Sequence, residues 1–493
     1  MSSRTTARPD VVEAVRAARD QCAKTSAPTP QTFDNPWHPL WYESLRDQAL
    51  PALIANGTIT PAASLWTGAR LWCDAFREAG MHPGDRLIVA MQPSAAFVQV
   101  LVAAIWEGHT IALAPPTADV PALLGTLDAR AAITRLDHPH VWQPEAFAGP
   151  LTSPSALREP DTPPAPDIRF LMRTSGTTGT PRWVALSDHN VLSVLASHLP
   201  HFQLGNARLI SVLPWWHAFG LVLDLLPALL SGAEIIRDAD GGRCPDSILQ
   251  LSRTWGATHL NAVPLTLQRL VDHHSGCSFL RRLCGGVVGG APIAAPLADA
   301  LSGTRLRVGY GQTEASPGIT LGPPGTWSAN YLGHPVGCEV RLADDGELCF
   351  RGGNACAGFW TKGALHRRDP ARTVCTGDRA RHTDDGFFFE GRTDATLKLP
   401  NGRFLDVSRY EARLKDQFPV HDALLYRTEE ARLGLALCTD ASSPPSEQAI
   451  RDAMGRVADY LGRVQTIART DWVQSPKGNV DRTAMTKTLR AAP

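Results

Sequence analysis

Apolar residues recur along this chain with two alternating periods. Ala63, Leu65, Ala69, Leu71 and Phe76 fall at helical spacing, and Gly80 followed by Pro83-Gly84-Asp85 closes that helix in a turn. The run Arg86–Ala90 then reads as a short apolar strand, Ala95–Glu107 as a helix, and Thr110–Ala114 as a second strand ending at Pro115-Pro116. Helix and apolar strand in alternation predict a parallel sheet covered on both faces, the α/β class. Further on, Ile168, Phe170 and Met172 are interleaved with Arg169 and Arg173, a Ser/Thr/Gly-rich loop follows, and Trp183–Leu186 resumes a strand. Leu209–Leu213, Glu234–Ile236, Thr258–Pro264 and Leu283–Pro292 are read as strands, with an apolar helix over Leu221–Leu230. After Leu332, short alternating runs separated by Asp-Gly and Gly-Gly turns predict a small antiparallel subdomain. Residues 1 to about 35 are polar, with one short helix over Val11–Ala18, and read as a loosely attached arm.

At 493 residues the chain is long enough for two or three sizeable cores. Lys+Arg at 48 balance Asp+Glu at 48, which argues against an extended basic face for nucleic acid. No apolar run approaches the roughly 20 residues that span a bilayer, and the first residues carry charge where a secretory signal has its apolar core. A cytoplasmic protein with no membrane or nucleic-acid partner is therefore expected. The ten cysteines show no CxxC pairs, so free buried thiols are expected rather than a disulfide framework or a metal site.

Chemistry concentrates in four stretches. The first is Thr174-Ser175-Gly176-Thr177-Thr178-Gly179, with Arg182 beyond it, between two strands. Its hydroxyls, glycines and backbone N–H groups suit the oxygens of a polyphosphate, although for such a cluster taken alone a polar hairpin turn is the commoner explanation. It is not a Walker A loop, because Gly179 is followed by Thr180-Pro181 and a strand instead of Lys-Ser/Thr and a helix. The second, Pro214-Trp215-Trp216-His217-Ala218-Phe219-Gly220, ends a strand with a histidine that packing alone could explain. Third, the run from Gly285 to Gly290 strips a strand end of side chains before Ala291-Pro292, as a tight bend or a flat ligand requires. Fourth, Tyr310-Gly311-Gln312-Thr313-Glu314 supplies a ring for a purine face, a hydroxyl for a phosphate oxygen and a carboxylate for Mg²⁺.

In this order, the stretches resemble the signatures of the adenylate-forming superfamily: acyl-CoA synthetases, nonribosomal peptide synthetase adenylation domains and luciferases. The resemblance runs from about residue 60 to the C-terminus. It implies a large N-terminal domain (1–392) of parallel-type sheets covered by helices, with a distorted antiparallel β-barrel over about 325–392. A small mobile α+β lid (393–493) would follow. By the same resemblance Thr174–Gly179 and Arg182 hold the β- and γ-phosphates, Thr313 the α-phosphate and Glu314 the metal. Tyr310, Gly311, Gln312 and Gly290-Ala291-Pro292 lie along the adenine, and Asp378 with Arg392 holds the ribose. His217 lies beside the acid, whose pocket, with Val288 and Gly309, has room for an apolar or aromatic group and equally permits a chain.

The implied activity is ATP-dependent activation of a carboxylate as acyl-AMP with release of pyrophosphate, then transfer to a thiol of coenzyme A or a carrier protein. ATP and Mg²⁺ are the implied cofactors. The chain departs from the family pattern in three places. Arg182 replaces a lysine, Ala395 stands at the lid's pivot with Asp394 one residue early, and Asn479 stands where a catalytic lysine is expected. Lys477, two residues before Asn479, points roughly the same way in an extended loop and is the candidate replacement. A variant ligase using an amine or a small inorganic anion, or a nucleotide-binding regulatory protein with degenerate lid chemistry, is the alternative.

Overall fold

The computed structural model describes residues 13–17, 35–45, 51–134, 141–142, 167–174, 182–393, 396–399, 404–428, 432–440, 444–473, 480 and 482–491. Two sheets rich in parallel pairings carry the N-terminal half. In one, His259–Asn261, Arg208–Ser211, Glu234–Arg237 and Pro51–Ala55 run parallel, and Thr58–Pro61 closes the edge antiparallel. At the centre of the other, Ala131–Ile133, Arg86–Val89, Thr110–Leu113 and Phe170–Thr174 are parallel, and Arg182–Leu186 returns antiparallel against Phe170–Thr174. Both loop-flanking strands of the sequence reading are thus direct neighbours, with Thr174 opposite Arg182.

The helices seal these sheets as their periodicity requires. Ala62–Glu78 buries Leu65, Trp66, Ala69, Trp72, Cys73 and Phe76 on one stripe, and Gly80 at φ +69° turns the chain out of it. Ala95–Trp106 starts at Ser94, whose side chain accepts from the Phe97 N–H, and its apolar sequence is buried almost all round. Asp188–Phe202 opens with a reciprocal cap between Ser187 and Asn190. Asn190 also donates to the carbonyls of Gly353 and Ala355, both at 2.8 Å, and so fastens this helix to the antiparallel region.

A buried ion pair joins the second sheet to the N-terminal segment. Arg169 is fully buried and donates through Nε and Nη2 to Asp188 at 2.8 and 2.9 Å, and through Nη1 to the carbonyls of Ile105 and His109. The indole of Trp37 donates to the same Asp188 at 2.6 Å. Asn35 and His38 meet the carbonyls of Ile105 and Trp106 at the end of the helix, groups that have no partner within it. The helix Trp37–Leu45 and the hairpin Pro51–Pro61 are therefore integral to the core, although the sequence reading places no element between the N-terminal arm and Ala62. Val15, in the arm expected to be loose, is likewise buried in the main core.

The antiparallel region is an open eight-stranded sheet, not a closed barrel. It runs from Val287–Val288 through Arg307–Gly311, Gly318–Leu321, Tyr331–Pro335, Gly386–Arg392, Val374–Thr383 and Glu347–Arg351 to Glu339–Leu342. Among the described residues nothing pairs the two edge strands with each other. Isolated bridges from His259 to Gly285 and from Ala262 to Val288 join it to the first parallel sheet. Here the cysteine expectation fails: Cys349 and Cys375 form a disulfide. Antiparallel pairing sets them opposite each other with Cα atoms 4.1 Å apart, a juxtaposition that no sequence spacing shows. Beyond residue 400 the chain has cores of its own, in which Asp422–Arg427, Leu433–Cys438 and Leu461–Ile467 pack against helices including Val407–Gln417 and Glu447–Met454. No helix among the described residues is long and apolar enough to cross a membrane.

Replacing Asp188 by Asn strands the buried Arg169 charge and is expected to lower the unfolding free energy by about 3–5 kcal/mol in urea titrations. Replacing both partners by apolar residues of similar size, Arg169→Met with Asp188→Leu, is expected to recover much of that loss.

Candidate active site

The antiparallel sheet brings together three residues that lie far apart in sequence. Tyr310 Oη donates to Asp378 Oδ2 at 2.7 Å, and Arg392 Nη1 donates to Asp378 Oδ1 at 2.8 Å. The carboxylate is placed by register: Asp378 pairs with Arg392 across the ladder, and Gly377 at φ +77° turns the chain directly before it. Thr376 accepts from the Asp378 N–H, and Glu347 accepts from the Gly377 N–H at 2.7 Å. Burial, together with the adjacent Asp378 charge, raises the Tyr310 phenol well above its ordinary pKa, so it stays a donor.

Glu314 occupies the short turn after the same strand, and its backbone carbonyl accepts from the Cys356 N–H at 2.8 Å. Burial raises its carboxyl pKa, while its own backbone N–H and the nearby charges of Arg182 and Arg392 act the other way. Arg182, Glu314, Asp378 and Arg392 thus share one electrostatic neighbourhood. Thr174 faces Arg182 at the mouth of the loop. Residues 175–181 lie outside the described residues, and with them Ser175, Gly176, Thr177, Thr178 and Gly179. The same holds for Asp394, Ala395, Lys477 and Asn479.

Beside Tyr310 lies a cavity of about 60 Å³, walled by Gly289, Gly290, Gly309, Gly311, Gly318, Phe219, Leu223, Val287 and His198. Two glycines there answer to backbone contact. A Cβ on Gly289 would lie 2.5 Å from the Gly309 carbonyl, and one on Gly311 would overlap the Pro317 carbonyl. Val288, the expected pocket residue, points the other way into the second core. Its neighbour Val287 lines the cavity instead, because successive strand residues face opposite sides. His217 is exposed at the start of a short helix, and Phe219 and Leu223 from the same stretch reach the cavity. Gly290, Ala291 and Pro292 form an exposed rim, and Gln312 and Thr313 lie half-buried between Tyr310 and Glu314.

The sequence reading missed what lies beneath this site. Asp224, within a π-helical turn at Leu221–Leu225, is fully buried and accepts from Ser211 and from Asn261. Ser211 also accepts from the indole of Trp215 and from Arg237. This network fixes the segment that delivers Phe219 and Leu223; an aspartate within an otherwise apolar helix was the available signal. Burial pushes the Asp224 carboxyl from its ordinary value up to about 6.

A family description, AMP-binding enzyme, matches residues 49–360, more than half of the chain. The chain belongs to this adenylate-forming family. It is similar to a feruloyl-CoA synthase of Amycolatopsis sp, 26% identical over 401 residues that cover 73% of this chain and 75% of that protein. A long-chain-fatty-acid–CoA ligase of Yersinia pestis is 30% identical over 250 residues, covering 45% of this chain and 43% of that one. In fold it resembles the O-succinylbenzoate coenzyme A synthetase of Bacillus subtilis in complex with AMP. The TM-score is 0.72 at 17% identity, over 90% of this chain and 97% of that one. In this adenylate-forming chain the described residues of the motifs meet at one place: Phe219, Gly289 and Gly290 line the cavity with Tyr310, and Arg182 and Arg392 lie near Glu314.

Asp378→Asn is expected to weaken ATP binding about ten- to a hundredfold by calorimetry, since a charged acceptor contributes about 1.5–3 kcal/mol. Tyr310→Phe, which keeps the ring, is expected to cost less. For Asp224, the native state retains a proton between about pH 4 and about 6 that the unfolded chain releases. Its contribution to stability is therefore present below that window and lost as pH rises through it, about 2–3 kcal/mol in all. Asp224→Asn is expected to remove this slope from urea unfolding measured across pH 4 to 7.

Proposed function

We propose that the chain is an ATP-dependent, AMP-forming acid ligase that passes the activated acyl group to a thiol of coenzyme A or a carrier protein. A substrate carboxylate oxygen bonds to the α-phosphorus of ATP, the bond from that phosphorus to the bridging oxygen breaks, and pyrophosphate leaves. The observation that carries the reading is the Asp378 carboxylate, held by Tyr310 and Arg392 beside Glu314 and Arg182, at the mouth of a glycine-walled cavity.

Each group has work suited to its chemistry. Asp378 accepts both ribose hydroxyl protons, and Arg392 orients it. Tyr310 and the rim Gly290–Pro292 lie along the adenine. Arg182 and the loop beginning at Thr174 neutralise the leaving phosphates, and Thr313 holds the α-phosphate. Glu314 is a single hard carboxylate, the kind of ligand that Mg²⁺ takes together with phosphate oxygens. When bound, the ion neutralises phosphate charge. Catalysis in this reading is positioning and charge neutralisation. The reading includes a lid over 393–493 that presents Lys477 to the carboxylate and α-phosphate.

The small cavity, closed by Phe219, Leu223, Val287 and Leu321, favours a compact acid, aromatic or short, over a long chain. Burial pushes its His198 down to about 4, so that wall is neutral at pH 7. Asn479 at the lysine position supports the second reading, a nucleotide-binding protein with little turnover.

Pyrophosphate release on adding ATP and a panel of carboxylic acids tests the proposal, with mass spectrometry of the adenylate. Release with compact acids is expected, and ATP binding without release from any acid would favour the second reading. Lys477→Ala is expected to slow adenylate formation by roughly two to three powers of ten, the scale of a lost transition-state cation. An unchanged rate would remove Lys477 from the mechanism.

A further inference from the structure

The strands that present Gly289–Pro292 and Tyr310 to the cleft have another end. There, residues from His259–Asn261, Gly285–Val287 and Arg305–Arg307 enclose a second cavity of about 270 Å³ with His201–Leu204 from the end of a helix and Pro324 from a loop. Parallel pairing brings the leading ends of these strands together, just as it brings their trailing ends to the nucleotide cleft. Arg307 and Tyr310 lie three residues apart on one strand, roughly 10 Å at the rise of a strand.

The charge in this cavity is unbalanced. Arg307 is 9% exposed, and among the described residues its guanidinium makes no hydrogen bond and no ion pair. The lining contains Arg305 and His201 and no Asp or Glu. Burial and then the Arg307 charge lower His201, and burial lowers Arg307 itself, with no carboxylate among the described residues acting the other way. Two other enclosed arginines among the described residues have carboxylates beside them. Arg169 has Asp188 and Arg237 has Asp224 and Asp238 nearby. Leaving a buried guanidinium unpaired is costly, and here it faces open space large enough for a small molecule.

We propose that this cavity is a second ligand site, separate from the nucleotide cleft, for a small molecule bearing a phosphate or carboxylate oxyanion. The planar fork of Arg307 pairs with two oxygens of the anion, and Arg305 and His201 close over it from the rim. The site does not depend on the ligase reading: of its lining only Val287 also borders the acid cavity, and its charged groups, Arg307, Arg305 and His201, have no part in adenylation.

Calorimetric titration of the full chain with inorganic phosphate, and separately with glutarate, tests this in the wild type, Arg307→Leu, Arg307→Lys and Arg305→Ala. Anion held elsewhere on the chain is common to all four proteins and cancels. Saturable binding is expected in the wild type, at least about tenfold weaker in Arg307→Leu and partly retained in Arg307→Lys, which keeps the charge without the fork. Arg305→Ala is expected to fall between. Binding of phosphate alone identifies a phosphate ligand, binding of glutarate alone a carboxylate, and either supports the site. Identical titrations in the wild type and Arg307→Leu, or no saturable binding of either anion, would overturn it. Ligand-free Arg307→Leu is expected to be at least as stable as the wild type, since it removes an unpaired charge. A marked loss of stability in both Arg307→Leu and Arg307→Lys would show a structural role and overturn the proposal too.

Discussion

The candidate site depends on one carboxylate. Asp378 receives the phenol of Tyr310 and the guanidinium of Arg392, and so ties together the strands Arg307–Gly311, Val374–Thr383 and Gly386–Arg392. Each partner satisfies a different oxygen, so the carboxylate is oriented before any ligand arrives. Its side chain keeps 13% of its surface exposed, in keeping with a group shielded by neighbours yet open to a hydroxyl. Preorganised polar groups of this kind act on developing charge without first having to reorient.

Around that carboxylate the fold separates two roles for buried charge. Behind the site the charges are closed into networks. Arg169 meets Asp188, Trp37 and main-chain carbonyls, and Asp224 meets Ser211 and Asn261. Such networks stay stable because every member has a partner, and they hold the sheets and the cavity wall in place. At the site, Glu314 is half-buried and influenced by two arginines instead of being paired with one. At the far end of the same strands, Arg307 has no partner at all among the described residues. The strands running between cleft and second cavity are thus stripped of side chains at one end and carry an unpaired charge at the other.

Much of the architecture was legible because it is local. The alternation of apolar runs and helical stripes marked Arg86–Val89, Ala95–Trp106 and Thr110–Leu113 within a residue or so of their observed limits. Trp37–Leu45 was not legible, because its indoles and His38 gain their meaning only from the carbonyls of a distant helix. The disulfide of Cys349 and Cys375 was not legible for a similar reason: their spacing carries no signal, and the pairing of two strands makes them neighbours.

By itself the sequence determined the order of the motifs and the strand–loop–strand setting of the first. It also determined the chemistry that Tyr310, Glu314, Asp378 and Arg392 offer, since covalent order and residue type are local properties. Tertiary structure decided which face of a strand turns inward. An alternating pattern allows either Val287 or Val288 to meet the cavity, and packing of the second core claimed Val288. It decided as well that, among the described residues, the antiparallel sheet stays open and Arg307 is enclosed without a counter-ion. Those outcomes depend on which distant residues share a space, and no pattern along the chain encodes that.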